Sequence, residues 1–518
     1  MTDLYFAGLD IGTTGVKVMI INQDAEIKSL AYREYPCEYP KPGWVEQNVD
    51  IMWNKICETT NEAISKAKIS SSLIKSLGIS SQRGTFIPVD KNIKPLMNSI
   101  VWSDARANIE LDWIKENISE ERYYQITGVP ISSLWSYSKI KWFIDNEKDI
   151  FKDTYKILNG QEYFLRKLGA EEISTDPSSL TLNGMLDIRK LNWSEELCSF
   201  INLPLEKLPP VGAPARKVGK ISEKAAEETG FALNMPIAIG GGDQQCAAIG
   251  AGIVKEGMAV VTTGTAMVIV GHLEEVKKDE EKGVLIGGSG IPNKWDIEGV
   301  QFTAGAALKW MRDNFGYLEV TSGERLGLDP YDIINLEVNK SPAGSKGLIF
   351  FPFFQGQMTP NYEDSAKGGF IGLTLIHSHD DIMRAIMEGV SFETRMVIEA
   401  MESVLNKPFS NLRLSGGGAK SDIWSKIQSN IFRRHVERMV ISECTTLGAT
   451  ILGAYGCGLF SSVEEGVEKM VKIYDTIEPK VKDSDLYDEE YNIFRNSFNS
   501  LSRENIYKDL MAFQKRWF

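Results

Sequence analysis

Three short glycine-rich stretches and one carboxylate carry the residue types that chemistry needs. Asp10-Ile11-Gly12-Thr13-Thr14-Gly15-Val16-Lys17 places backbone N–H groups, two hydroxyls and a lysine in one turn. Glycine lets the main chain approach an anion closely, so such a loop can cradle phosphate oxygens. Asp10, just ahead of it, is poorly placed to touch a phosphate and well placed to hold a hydrated Mg²⁺ that bridges phosphates. The alternative is a plain tight turn between strands. Thr263-Gly264-Thr265 offers the same hydroxyl-glycine-hydroxyl chemistry, and two such loops would clamp a polyphosphate from both sides of a cleft. Gly416-Gly417-Gly418 suits close approach of a base, a ribose or an α-phosphate, or is simply a strand-to-helix loop. Asp243, in Gly240-Gly241-Gly242-Asp243-Gln244-Gln245, follows an apolar strand. A carboxylate there can act as general base toward a hydroxyl, or cap the helix that follows.

The elements that must position these residues alternate strand and helix. Leu4–Leu9 and Val16–Ile21 read as a hairpin around the first loop, and Met258–Val261 with Ala266–Val270 as a second hairpin around Thr263-Gly264-Thr265. Two strand–loop–strand units roughly 250 residues apart predict two similar halves, with the boundary near residues 245–255. A helix is expected over Asp50–Lys66, and a strand over Ile74–Ser81 ending at Gln82-Arg83-Gly84. Asp381–Leu405 is the clearest helix, with Ile382, Ile386, Val390, Val397, Met401 and Val404 on one face. A short strand at Leu412–Ser415 and a helix over Ser421–Phe432 flank the third glycine cluster. Gly448-Ala449 and Gly453-Ala454 read as close helix packing at a hinge, and Lys469–Phe518 as docking helices without chemistry.

Composition narrows the function classes. Across 518 residues, Lys plus Arg total 57 and Asp plus Glu 70, a net charge of −13. That disfavours nucleic-acid and anionic-membrane binders, which normally show a basic excess. Only four histidines are present, His272, His377, His379 and His435, a small stock for a multi-histidine metal site. His377-Ser378-His379 lies in a spacer before a helix and reads as solvated loop rather than a metal pair. The six cysteines form no C-x-x-C and read as thiols of a reducing compartment. MTDLYFAGLDIG lacks a basic-then-apolar leader, and no apolar run reaches membrane-spanning length. The expectation is a cytoplasmic chain without membrane contact.

Taken in order, these motifs resemble the FGGY carbohydrate kinases, a branch of the actin, sugar kinase and heat-shock ATPase superfamily, over nearly the whole chain. Trp135–Asn146 fits the first family signature except at Leu134, and Gly368-Gly369-Phe370-Ile371-Gly372-Leu373 with Asp381–Glu388 fits the second. Phe302–Trp310 and Leu414–Ala419 look like the nucleotide-side segments. The resemblance implies an α/β fold of two RNase H-like domains around an interdomain cleft. Residues 1–250 would form the sugar and phosphate side, and 251–518 the nucleotide side. It implies ATP, Mg²⁺ and a small sugar as ligands, and leaves a homodimer open. Asp243 would be the catalytic base, with Asp10 and Asp243 at the metal. Gly12, Thr13, Thr14, Lys17, Thr263, Gly264 and Thr265 would meet phosphates, and Gly305, Lys309, Gly417 and Gly418 would line the nucleotide site. Gln82, Arg83, Trp102, Asp104 and Gln244 would face the sugar, although Trp102 by itself reads as a half-buried packing residue.

Two departures bear on the substrate. Gly84 stands where a glycerol kinase typically has Glu, opening space, and Leu134 where it has a substrate-binding Tyr. Both argue against glycerol, because a polar substrate is rejected by a site lacking its hydrogen-bond partners. Trp102-x-Asp104-x-Arg106 is similar to xylulokinases, although Arg83-Gly84 replaces their Met-His and Gly356-Gln357-Met358 their Gly-Glu-Arg. Asp104-Ala105-Arg106-Ala107 and Asp176-Pro177-Ser178 resemble autoinducer-2 kinases. A ketopentose such as xylulose is therefore the expected acceptor. Autoinducer-2 or another ketose or polyol is the alternative, and a catalytically idle ATP- and sugar-binding regulator a third reading.

Overall fold

The computed structural model describes residues 4–517. Met1–Asp3, the start of the segment read for a leader, and Phe518 of the tail lie outside the described residues. Two mixed sheets share one plan. In the first, strands Ile27–Glu34, Gly15–Asn22 and Tyr5–Ile11 run antiparallel in that spatial order. Ile74–Ser81 and Pro236–Gly242 then add in parallel, and Lys217–Lys220 closes the edge antiparallel. The second repeats it: Trp295–Gln301, Met267–Leu273 and Met258–Thr263 antiparallel, then Asn411–Gly416 and Val436–Met439 parallel. Leu285–Gly288 and Ile473–Ile477 form its outer edges. The two hairpins recognised in the sequence thus start equivalent sheets.

Both hairpin strands run further into the loops than the alternation pattern suggested. Tyr5–Ile11 includes Asp10, Gly15–Asn22 includes Lys17, and those two residues pair directly across the hairpin. Only Gly12-Thr13-Thr14 remain as turn, closed by the Gly12 N–H donating to the Gly15 carbonyl at 3.0 Å.

Between the sheets lie two crossed helices, Asp243–Gly250 and Cys444–Gly456. Cys246 and Ile249 pack toward Phe6, Met19 and Ile21 of the first sheet, and Ala247, Ala248 and Ala251 toward Val260 and Val270 of the second. The chain enters the second half through the first helix and returns to the first sheet with the second. A division at residue 250 therefore leaves a late helix on the early sheet. Glycines make this approach feasible. A Cβ on Gly448 would lie 1.8 Å from the Cys246 carbonyl oxygen, and one on Gly78 would lie 1.9 Å from that of Ala449. The close helix packing expected at Gly448 and Gly453 agrees with these contacts, a Cβ on Gly453 lying 2.4 Å from Gly78 N.

Helix His379–Leu405 starts two residues before its expected limit, because Ser378 and Asp381 form a reciprocal capping box. It is buried on nearly all sides rather than along one stripe, since the second sheet covers one face and helices the other. The tail adds the edge strand Ile473–Ile477 and helix Val481–Arg503, whose Tyr487, Phe494 and Phe498 pack against Phe392, Phe351 and Phe353. All six cysteines are free. Among the described residues no helix is long and apolar enough to cross a membrane.

Candidate active site

Two neighbouring cavities occupy the cleft. The smaller, about 200 Å³, is walled by Thr13, Gln82, Arg83, Trp102, Leu134, Trp135, Asp243 and Gln244 of the first half. Ala266, Val268, Glu298, Val300, Phe302 and Met358 of the second half close it. The larger, about 450 Å³, lies within the second half, between Thr263, Gly264, Thr265, Gly305, Lys309, Tyr331, Asn335, Gly417, Gly418 and Trp424. The second loop separates them: Thr263, Gly264 and Thr265 face the larger space, and the next residue, Ala266, faces the smaller. A group held at that loop can pass from one cavity to the other.

Asp243 is the first residue of its helix, with Gly242 at the cap position. The capping alternative is thus displaced by one residue. The glycine run before it is dictated by contacts. A Cβ on Gly240 would lie 2.1 Å from the Ile79 carbonyl oxygen, and one on Gly242 2.4 Å from Cδ of Arg83. Asp243 Oδ1 accepts from Arg83 Nε at 3.1 Å and from the Gln244 N–H at 2.9 Å, whereas Oδ2 has only a 3.5 Å contact with Gln244 Nε2. That oxygen remains able to accept a proton from a hydroxyl in the small cavity.

Arg83 bridges the two halves. Its Nη1 and Nη2 donate to Glu298 Oε2 and Oε1 at 2.9 and 2.7 Å, and its Nε to Asp243. Burial opposes its charge, but Glu298 and then Asp243 hold the guanidinium above its ordinary value. Glu298 escaped the sequence reading. Its signal is a carboxylate inside a buried strand, where the two-residue period turns Glu298 and Val300 to the cavity and packs Gly299 against Val397.

The first loop presents Thr13 to the small cavity. Its hydroxyl donates to Gln82 Oε1 at 2.8 Å and accepts from Trp102 Nε1 at 2.9 Å, while Gln82 donates to Gln47 at 2.7 Å. Thr14 is exposed beside it. Lys17 does not enter the loop: as a strand residue opposite Asp10 it forms an ion pair with Glu443. Asp10 Oδ1 is buried without a hydrogen-bond partner. Burial and, after it, the Asp243 charge push Asp10 up to about 7. Two mutually repelling carboxylates, one with an unsatisfied oxygen, fit a divalent cation carrying several waters.

Other expected residues take different positions. Asp104 lies outside the cavity wall, because its fully buried carboxylate accepts from the Val45 N–H and from Arg106 Nε and Nη2. Arg106 itself stacks on Trp44, 3.8 Å from the ring centre. Trp102-x-Asp104-x-Arg106 is thus a clip that holds the loop, with only Trp102 reaching the cavity. Gly84 is not open space. At φ +69°, its Cβ direction meets Trp102 Cβ at 3.2 Å and the Leu182 and Leu134 carbonyl oxygens at 3.3 and 3.4 Å. Gly305 donates its N–H to the Gly264 carbonyl at 3.0 Å, so it braces the second loop. A Cβ on Gly417 would meet nothing nearer than 3.9 Å, which leaves its surface free for a ligand. Lys309 lines the larger cavity and also pairs with Asp313.

Two supports lie in stretches noted above only for their resemblance, without a role assigned. Ser178 Oγ accepts from the Gly242 N–H at 3.0 Å, which ties Asp176-Pro177-Ser178 to the turn before Asp243. Lys139, fully buried in helix Ser136–Asn146, donates to the carbonyls of Trp102, Ser133 and Leu134 at 2.9, 2.7 and 3.1 Å. It holds two parts of the cavity wall together.

Paired sheets of this plan, crossed by two helices and enclosing a cavity of about 200 Å³ beside one of about 450 Å³, have the two-domain fold of the actin and hexokinase type. Residues 5–250 match the N-terminal domain, and residues 259–457 the C-terminal domain, of the FGGY family of carbohydrate kinases. The chain belongs to this family, whose members transfer phosphate to an alcohol group. A gluconokinase of Bacillus subtilis (strain 168) is 29% identical over 515 residues, covering 99% of this chain and 98% of the relative. A xylulose kinase of the same strain is 28% identical over 495 residues, covering 95% and 96%. A glycerol kinase of Desulforamulus reducens is 31% identical over 474 residues, covering 90% and 92%. Among solved structures, a gluconate kinase from Lactobacillus acidophilus superposes with a TM-score of 0.87 at 22% identity, over 96% of this chain and 98% of that one. The relatives thus agree on the reaction class and differ in the sugar.

Proposed function

We propose that the protein transfers the γ-phosphoryl group of ATP to a hydroxyl of a small neutral sugar, a ketopentose such as xylulose. The charge of the small cavity carries this reading. Its charged groups are Arg83, Asp243 and Glu298, and both carboxylates already engage the one guanidinium. A polyhydroxyl compound can use Gln82, Gln244 and the Asp243 carboxylate as hydrogen-bond partners while Trp102 covers its C–H face. A sugar acid would bring a second negative charge to a site with no free cation, which disfavours it. Against this stands the similarity to gluconokinases, so gluconate is the second reading.

In the proposed reaction Asp243 Oδ2 accepts the hydroxyl proton as the oxygen attacks phosphorus, and ADP leaves into the larger cavity. Thr263, Gly264 and Thr265 on one side and Gly12, Thr13 and Thr14 on the other hold the phosphates in line. Asp10 and Asp243 would hold Mg²⁺, which neutralises phosphate charge when bound. ATP consumption measured with xylulose, ribulose, gluconate, glycerol and the linear autoinducer-2 precursor tests the substrate. A clear preference for gluconate would refute the charge argument. Asp243→Asn should lower turnover about 10²–10⁴-fold while leaving ATP affinity within a few-fold. Substantial sugar-dependent turnover in that variant would refute the assignment of the base.

A further inference from the structure

Away from the cleft, three side chains from three helices converge on the outer side of the nucleotide half. Glu319 lies in the first turn of helix Tyr317–Leu326, Glu337 in the last turn of helix Pro330–Val338, and His379 at the start of helix His379–Leu405. His379 Nδ1 is 3.6 Å from Glu319 Oε1 and 3.8 Å from Glu337 Oε2, and one ligand atom from each residue lies within 4.8 Å of the other two. The Glu319 side chain is 1% exposed, yet its Oε2 has no hydrogen-bond partner. Glu337 Oε2 and His379 Nε2 are likewise buried and unpartnered. A buried carboxylate aimed at a second carboxylate and an imidazole, without a donor for its free oxygen, is costly unless something positive completes it. Glu319 is the charged group that acts most strongly on Glu337, and Asp380 and Lys340, of opposite sign, are the other charges near it.

We propose that Glu319, Glu337 and His379 bind one first-row divalent cation of the zinc type. One imidazole nitrogen and two carboxylate oxygens are a donor set for zinc with a water in the fourth position. Bonds of about 2.0–2.1 Å in tetrahedral geometry put ligand atoms about 3.4 Å apart, so the two distances to His379 need only a few tenths of an ångström of contraction, and the two carboxylates, within 4.8 Å of each other, close on the ion by side-chain rotation. The imidazole argues against Mg²⁺ and Ca²⁺, which prefer all-oxygen shells. His379, 39% exposed, leaves an entry path. His377 takes no part: it is half-buried, bonds to Thr374 in its own turn, and its Nε2 lies 3.3 Å from the Lys346 carbonyl.

The site has a consequence for the nucleotide. Helix Pro330–Val338 presents Tyr331, Asp332 and Asn335 to the larger cavity. Glu337, two residues beyond Asn335, points about 200° away around the helix. A cation would therefore pin the back of the helix whose front meets the nucleotide, and the two ligands would change each other's affinity reciprocally.

The experiment uses the untagged full-length chain stripped of metal with a chelator, titrated calorimetrically with Zn²⁺ and, for its d–d absorption, with Co²⁺. One equivalent is expected to bind in wild type, in His377→Ala and in Asp10→Asn, the last separating this site from the catalytic cation. Glu319→Gln and His379→Ala should weaken binding at least tenfold, and ADP affinity should shift several-fold with Zn²⁺ in wild type but not in His379→Ala. No stoichiometric binding by wild type, or unchanged binding by a folded His379→Ala protein, overturns the site. Should Glu319→Gln fail to fold, the half-exposed His379 decides. These readouts do not depend on the sugar, so their failure is distinct from failure of the proposed activity.

Discussion

Replacing Asp10 by asparagine should stabilise the ligand-free protein, and increasingly so as pH rises. In the unfolded chain this carboxyl titrates near 3.8, whereas in the fold burial, followed by repulsion from Asp243, raises it to about 7. Lys17 and the Ser80 hydroxyl pull the other way and Glu443 adds a weaker repulsion, so the shift is the net of all these surroundings. Between the two values the folded state holds the extra proton. Stability therefore falls as pH rises through that window, and the loss is complete above about 7. Integrating the two titrations gives a penalty of about 2 kcal/mol near pH 5 and about 4 kcal/mol near pH 8. Asparagine keeps the shape and removes the charge, so the stability difference between variant and wild type should grow by about 2–3 kcal/mol over that interval. Urea unfolding followed by tryptophan fluorescence, with chelator present, measures it at both pH values. A difference that does not vary with pH would mean that the Asp10 carboxyl is not held up by its surroundings, and would remove the physical case for a cation there.

Three further outcomes follow from named contacts. Glu298→Gln should release Arg83 from its bidentate partner and raise the ratio of kcat/KM for gluconate over xylulose at least tenfold, measured with both substrates side by side. Lys139→Met leaves the carbonyls of Trp102, Ser133 and Leu134 without their shared donor and should lower kcat/KM for the sugar, while the dissociation constant of ADP stays within about twofold. Equal loss for both ligands in a folded variant would refute a local positioning role. Gly448→Val drives a side chain into the Cys246 carbonyl, where a Cβ alone would lie at 1.8 Å. It should cost about 1–3 kcal/mol or more by thermal or urea unfolding, and wild-type stability would show that the crossed helices can separate cheaply.

Much of the candidate site was legible because glycine- and hydroxyl-rich loops are local objects. Glycines and hydroxyls at short spacing, between strands with alternating apolar residues, define both hairpins and both loops without reference to distant chain, and the second hairpin announces the repeated sheet. Asp243 was legible for the same reason, as a carboxylate where a buried strand turns into a helix. The apolar run of Asp381–Leu405 specified a helix, but a helix covered on both sides carries no clean stripe, so its surroundings could not be read from periodicity.

What only tertiary structure decided are the pairings across long sequence separations. Lys17 belongs to an ion pair with Glu443 rather than to the loop beside it, and Asp104 to Arg106 and Val45 rather than to the sugar cavity. Glu298 faces Arg83 only because the two sheets meet across the cleft, and Gly84 is crowded only because Trp102, Leu134 and Leu182 fold over it. The physical reason is common to all of them. The chemistry available to a residue is set by its type and its immediate neighbours, whereas its use depends on which distant charge or carbonyl satisfies it once water is excluded, and that partner is chosen by packing.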